Sequence, residues 1–143
     1  MASEIIYDAV RAFLTTQFTT SPLQWENESP ITTTGVGGEP APWVMVEMTG
    51  TLYAQQSLGA SVQADNRWDE EGQLWLHVFV PTGTGGREAR RIARLLADLF
   101  RGTTLLGDSL EFLDAQIGMG EAGDETGSWY RVSVEIDWRH MDA

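Results

Sequence analysis

Two stretches of the chain repeat apolar residues at the spacing of an α-helix, residues 3–18 and 87–100. The apolar face of the first consists of Ile6, Val10, Phe13 and Leu14, and that of the second consists of Ala89, Ile92, Ala93, Leu96, Leu99 and Phe100. Ser3 is a candidate N-cap for the first helix, and Gly102 supplies a C-terminal stop for the second. Each helix has a single apolar stripe, so each needs another element to cover it.

Strand patterns separate the two helices. Residues 43–48 and 51–55 are rich in β-prone side chains, and the Thr49-Gly50 pair between them is typical of a hairpin turn. Residues 73–80 are apolar on both alternating faces. That pattern favours a strand inside a sheet.

Two further strands and two connections account for the remaining chain. Residues 110–117 predict one strand, and residues 129–138 alternate apolar and polar side chains, so a long final strand should have one buried face. Residues 19–42, rich in Thr, Ser, Pro and Gly, predict an irregular connection with at most a short strand at 23–26. The polar residues 57–72 predict a long loop or a loosely formed hairpin arm.

These elements predict one α+β domain that spans residues 1–143. Two helices with one apolar stripe each indicate a two-layer sandwich, in which both helices pack on one face of a mainly antiparallel sheet. The predicted order is α-β-β-β-α-β-β. A chain of 143 residues is long enough to bury a core without disulfides, and it contains no cysteine.

The charge balance argues against sequence-specific DNA binding. The formal net charge is −12, and all nine basic residues are arginine. A chain this acidic is repelled by duplex DNA as a whole. The N-terminus lacks the basic region of a signal peptide, and no apolar run approaches the ~18 residues that a membrane span needs.

No catalytic, cofactor or metal motif is evident. The segment PTGTGG lacks the Lys-Ser/Thr and the spacing of a phosphate loop, and neither His77 nor His140 stands near a paired nucleophile signature. We therefore expect no enzyme activity and no cofactor. Two acidic groups lack the spacing of a calcium loop, so we interpret both as solvated loops without a metal. These groups are Asp65, Asp69, Glu70 and Glu71, and Glu121, Asp124 and Glu125.

The six tryptophans have two interpretations. Trp75 and Trp138 stand inside strand patterns, which predicts core positions. The other four stand at element edges or in loops, where they are available either for subunit contacts or to close the rim of the core. These four are Trp25, Trp43, Trp68 and Trp129.

Five of the nine arginines fall in one short segment. Arg87, Arg90, Arg91 and Arg94 form a stripe on the polar side of the second helix, followed by Arg101. One interpretation is a solvated helix face. The other is that this basic stripe meets acidic loops of a second copy, which is a heterologous contact of the kind that closes into a ring.

Several segments together resemble the tail terminator or tail-completion proteins of long-tailed phages and phage-like particles. The likeness runs through most of the chain in the same order. Its segments are the helix IYDAVRAFL, the tripeptide WEN, the strand PWVMVEM, the strand-turn-helix LHVFVPTGTGGREARRIARLLADLF and the closing strand GSWYRVSVEIDW.

The resemblance implies a structural virion protein without enzymatic activity, assembled in the host cytoplasm. It implies a homohexameric ring that caps the tail tube, ends tail elongation and forms the tail side of the head-tail junction. The implied partners are other copies of the chain, the tail tube protein and a head-tail connector or neck protein, with DNA passing non-specifically through the ring and no membrane involved.

The resemblance also implies that the loop after the first hairpin, residues 57–72, faces the tube, either in the lumen of the ring or at the contact with the tube. Interface residues expected there are Arg67, Trp68, Asp69 and Glu70, in addition to the arginines of the second helix. Two alternatives stay open at this point: a head-tail joining (neck) protein, and a small-molecule binding or hydrolytic domain, which needs a deep pocket with convergent polar groups.

Overall fold

The structure is a computed structural model that describes residues 3–35, 37–59, 61–62, 66–124 and 127–142. Asp65 and Glu125 of the predicted acidic groups lie outside the described residues. The elements in chain order are α1 (Glu4–Gln17), β1 (Leu23–Trp25), β2 (Trp43–Gln55), β3 (Trp68–Pro81), α2 (Arg87–Phe100), β4 (Thr104–Leu105), β5 (Leu110–Ile117), β6 (Glu121–Ala122) and β7 (Trp129–Asp142).

The strands form one curled sheet, a half-barrel, in the order β1-β2-β3-β7-β5-β4, with β6 paired to β7. All pairs are antiparallel except β1 with β2. The predicted α+β class is confirmed, together with the bounds of α2 and β5. The observed order differs from the predicted one, because the predicted strands 43–48 and 51–55 form the single strand β2, and β1, β4 and β6 are short strands that the predicted order did not count.

The predicted hairpin turn at Thr49-Gly50 is wrong. β2 runs without interruption through this point, and a bulge between Gly50 and Leu52 absorbs the irregularity. The reason is that β3 begins at Trp68 and is therefore long enough to pair with both halves of β2. Residues 68–72 thus belong to a strand, and a loop is confined to the chain between β2 and β3.

The core lies between the two helices and one face of the sheet. In β3 the core-facing residue Leu76 lies opposite Val46 of β2 and Val134 of β7, and all three side chains are fully buried. The helices join this core and each other, since the rings of Phe13 and Phe100 lie 5.1 Å apart. The fully buried helix residues are Ile6, Val10, Leu14, Ala89, Ile92, Ala93 and Leu96.

The tryptophans divide differently from the prediction. Trp138 is buried in the core, as predicted, and so is Trp25, which was expected at an edge. Trp75 was expected in the core, but it is half-buried on the opposite face of the sheet, since it pairs with Glu47 and Glu135 there. Successive side chains of β3 point to opposite faces of the sheet, so Trp75 faces away from the core because Leu74 and Leu76 face it.

Candidate assembly interface

Four of the predicted interface residues lie at the start of β3, where the sheet meets the β2–β3 loop. Asp69 is 1% exposed and is held between two arginines. Arg139 of β7 donates to Asp69 Oδ2 from Nε at 3.1 Å and from Nη2 at 2.7 Å. The Nε atom of Arg67 lies 3.2 Å from Oδ1. The hydrogen bonds to Asp69 raise the pKa of Arg139.

Glu70 is also buried, at 7% exposure, which contradicts the expectation of a solvated acidic loop for both Asp69 and Glu70. It lies opposite Tyr53 of β2 and His140 of β7. Its Oε2 atom is inaccessible to solvent and has no hydrogen-bond partner among the described residues. A buried, unpartnered carboxylate oxygen costs free energy, so this position is not optimised for the stability of the isolated chain.

Trp68 is half-buried at the first position of β3. Its ring lies 5.5 Å from the ring of Tyr53, and Tyr53 itself is 50% exposed. The two aromatic rings therefore present a partly open apolar surface beside the charged residues. Rings of this kind are enriched at protein interfaces.

The predicted arginine stripe is exposed along α2, with Arg87, Arg90, Arg91 and Arg94 all on the solvent side. Two of its members form ion pairs within the helix: Arg91 with Glu88, and Arg94 with Asp98 at 3.0 Å. The hydrogen bond with Arg91 lowers the pKa of Glu88. Exposed pairs of this kind contribute little stability, so the stripe remains available for an intermolecular contact.

Among the described residues, no hydrogen bond or ion pair connects the predicted interface residues at the start of β3 with the arginine stripe on α2. The cluster at the start of β3 is connected to β7 through Arg139, whereas the stripe on α2 is connected only within its own helix. The sequence therefore predicted two separate patches.

A third feature lies outside the predicted residues. An open groove of about 340 Å³ lies between α2 and β5, with Ile136 of β7 also in its lining. Leu113 and Ile117, at 52% and 41% exposure, line it together with Phe100, Arg94 and Arg101. In the sequence, only the apolar residues of β5 hinted at this groove. The alternation of apolar and polar residues along a strand does not show which of its edges lacks a neighbouring strand.

The histidine and glycine-rich segments have structural roles. His77 Nδ1 lies 2.7 Å from Ser133 Oγ, and Nε2 lies 3.3 Å from Glu47 Oε1. Burial lowers the pKa of His77 from its ordinary value of 6.5, and the charge of Glu47 opposes that shift.

In the PTGTGG segment, Thr84 Oγ1 donates to the Pro81 carbonyl, and Gly83 and Gly85 have positive φ, as in a tight turn.

Within the part of the chain that the structure describes, no group of three or more acidic or histidine side chains is arranged to hold a metal ion. None of the described helices is long and apolar enough to cross a membrane. Glu121, a member of the second predicted acidic group, forms an ion pair with Arg131.

Comparison with protein families gives a decisive match. The model of a family described as phage tail terminator protein matches residues 5–138. The chain belongs to this family. Membership assigns a structural role in the phage tail and makes this tail terminator family member a component of the virion. The family is structural and not typically enzymatic.

The fold of this family member is also found among solved structures. One solved structure is 21% identical and superposes with a TM-score of 0.64, covering 98% of this chain and 96% of its own. At this identity the likeness concerns the fold alone. The curated proteins contain no match to the chain.

Proposed function

We propose that the chain caps the phage tail tube as a homohexameric ring, ends tail elongation and forms the tail side of the head-tail junction. The observation that carries this proposal is the match of the terminator family over residues 5–138. The ring contacts the tail tube protein on one side and a head-tail connector or neck protein on the other.

The charge distribution supports a ring through which DNA passes. The chain has a net charge of −12, so a ring of its copies repels the phosphate backbone and DNA slides without sticking. The arginines of the stripe on α2 are exposed, whereas Arg67 and Arg139 form ion pairs with Asp69. The stripe is therefore the basic surface available to an acidic neighbour.

Absolute mass measured by light scattering over a range of protein concentrations tests the ring. The chain mass is 15.8 kDa, so six copies give about 95 kDa. A discrete species of that mass with a central hole in negative-stain images supports the proposal. A different stoichiometry, or a compact particle without a hole, contradicts it.

Tail length in the phage separates a terminator from a neck protein. Phage particles that lack a terminator should carry tails of abnormal and variable length, since nothing stops polymerisation of the tube. Loss of a neck protein should leave tails of normal length that fail to join heads. Tails of uniform normal length in the absence of this chain would therefore contradict the terminator assignment.

The contribution of the arginine stripe is tested by reversing its charge. The double variant Arg91→Glu, Arg94→Glu should weaken assembly, and the loss should depend on salt concentration because exposed charges are screened. Thr15→Glu, Thr16→Glu is the control, since it adds acidic charge to the exposed face of α1. An oligomer mass unchanged from wild type in the arginine variant excludes the stripe from the interface.

A further inference from the structure

We propose that neighbouring copies join edge to edge, the outer edge of β2 in one copy pairing with the outer edge of β5 in the next, so that the sheets become continuous around the ring. This inference rests on the proposed ring and names the surface that builds it. The occupant of each edge is a second copy of the same chain.

The first edge is the distal part of β2. β1 pairs only with Val44–Val46, so no described strand lies along the outer side of β2 beyond that point. Residues 51–55 read TLYAQ, without a charge or a proline, and Leu52 and Tyr53 are 47% and 50% exposed. An exposed, uncharged strand edge is a liability in a monomer, and natural proteins usually protect it.

The second edge is the distal part of β5. β4 pairs only with Leu110 and Glu111, so no described strand lies along the outer side of residues 112–117. Leu113 and Ile117 are exposed there, and the groove beside α2 is floored by Phe100 and Ile136. Among the described residues, the outer side of 112–117 therefore lies without a strand partner next to a groove lined by apolar and charged side chains, a combination suited to an added strand.

The two edges complement each other. They stand on opposite sides of the strand path β1-β2-β3-β7-β5-β4. The β2 edge has five residues and the β5 edge has six, and each edge includes two large apolar side chains that are exposed. A contact between two different patches of identical chains is heterologous, and such contacts close into rings when the rotation between copies allows it. A contact of one edge with itself would give a dimer and leave the other edge exposed.

Charges at the two edges are compatible with this pairing. Arg101, beside the β5 edge, forms no ion pair or side-chain hydrogen bond with any described residue. Beside the β2 edge, Glu70 is paired in register with Tyr53 and has the unpartnered oxygen described above. Glu70 lies on β3, one strand in from the β2 edge, so the charged side chain available at the contact is Arg101.

Cysteine cross-linking tests the contact, because the natural chain contains no cysteine. Leu52→Cys and Tyr53→Cys label the β2 edge, Leu113→Cys and Ile117→Cys label the β5 edge, and a short bismaleimide reports proximity in any register. A β2 variant mixed with a β5 variant should give a covalent dimer. A chain that carries Tyr53→Cys together with Ile117→Cys should give a ladder of covalent oligomers, and Leu113 is left out of this double variant because it lines the same pocket as Thr51 of its own chain. Thr16→Cys, on the exposed face of α1, is the control and should give neither.

The outcomes separate this inference from the proposed function. A species of six copies without any cross-link between the edges overturns edge pairing and leaves the ring. Cross-linked edges in open chains or fibres support edge pairing and overturn the closed ring. Cross-links within a single-cysteine variant indicate an edge paired with itself and overturn the heterologous contact, and so does the absence of any cross-link at the highest protein concentration.

Charged substitutions give an independent readout. Leu113→Lys, Ile117→Lys places two charges on the β5 edge and should raise the dissociation constant by about tenfold or more, because both charges must be desolvated in the contact. The melting temperature should stay close to that of wild type, since both positions are exposed. Ile5→Lys, Thr16→Lys, at two exposed positions of α1, is the control; equal assembly by the two variants overturns the proposal.

Discussion

The two halves of strand β3 are buried by different means. Residues 74–80, the apolar half, place Leu74, Leu76, Val78 and Val80 in one core cluster with buried residues of both helices. Residues 68–72, the charged half, bury Asp69 and Glu70 between neighbouring strands, with Arg67 and Arg139 as the counter-charges of Asp69. One strand therefore passes from a hydrophobic core into a desolvated charged cluster.

The comparison teaches which half holds the fold together. Burial of an apolar side chain of this size contributes roughly 1.5–3 kcal/mol, whereas a buried ion pair only about offsets the cost of desolvating its charges. The apolar half therefore supplies stability. The charged half, which pairs with residues 52–55 of β2, therefore adds little net stability.

The largest effect is expected in the apolar half. Leu76→Ala removes a fully buried side chain between Val46 and Val134, and it should lower the free energy of unfolding by about 3–5 kcal/mol. Chemical denaturation monitored by circular dichroism measures the loss. Leu58→Ala, at a position that is 90% exposed, should change stability by less than about 0.5 kcal/mol. Similar losses in both variants would contradict a core position for Leu76.

The boundary between the halves depends on a glycine. A Cβ atom at Gly72 would lie 2.0 Å from the Thr49 carbonyl oxygen and 2.6 Å from the indole of Trp138. Gly72→Ala should therefore force the backbone of β2 and β3 apart and lower the free energy of unfolding by about 3 kcal/mol. At Gly118 the nearest atom to an added Cβ is 3.6 Å away, so Gly118→Ala is the matched control. Equal stability of the two variants would refute the close packing.

A smaller effect is expected in the charged half. Arg139→Ala removes two hydrogen bonds from buried Asp69 and leaves Arg67 as its only ion-pair partner among the described residues, so the free energy of unfolding should fall by about 2–3 kcal/mol. Arg131→Ala, which breaks the pair with exposed Glu121, should cost less than about 1 kcal/mol. If the two variants lose the same stability, Asp69 does not depend on Arg139.

The smallest effect concerns His77, on the outer face of the apolar half. Burial lowers its pKa below 6.5, so as pH falls through 6.5 the unfolded chain takes up a proton that the folded chain does not. Stability is therefore lost as pH falls below 6.5, with a slope of at most about 1.4 kcal/mol per pH unit from this residue. His77→Gln should flatten the pH dependence in this window, measured by denaturation at a series of pH values. The same slope in the variant would exclude His77 as a source.

Strong periodic patterns predicted the elements well. The stripe from Ala89 to Phe100 and the alternation from Trp129 to Trp138 correspond to α2 and to most of β7. The resemblance to tail terminators, carried by such segments, is confirmed by the family match. The predicted interface residues and the hexamer remain predictions, because an isolated chain contains no neighbouring copy to contact.

The failed predictions concern residues whose environment is set by distant segments. Thr49-Gly50 has the composition of a turn, yet it continues a strand because residues 72 and 73 pair with it. Asp69 and Glu70 have the composition of a solvated loop, yet β7 reaches far enough to pair with them and buries both. Local composition reports what a segment prefers when it is alone, and long-range pairing overrides that preference.

The sequence alone determined the secondary-structure periods, the family and the surplus of acidic charge, because each is encoded in residue type and spacing. Only the tertiary structure decided that Asp69 is held by Arg139, that no described strand covers the outer sides of distal β2 and distal β5, and that a groove lies between α2 and β5. These features depend on which strands become neighbours in a curled sheet. That choice is made by packing of the whole core, and no local pattern contains it.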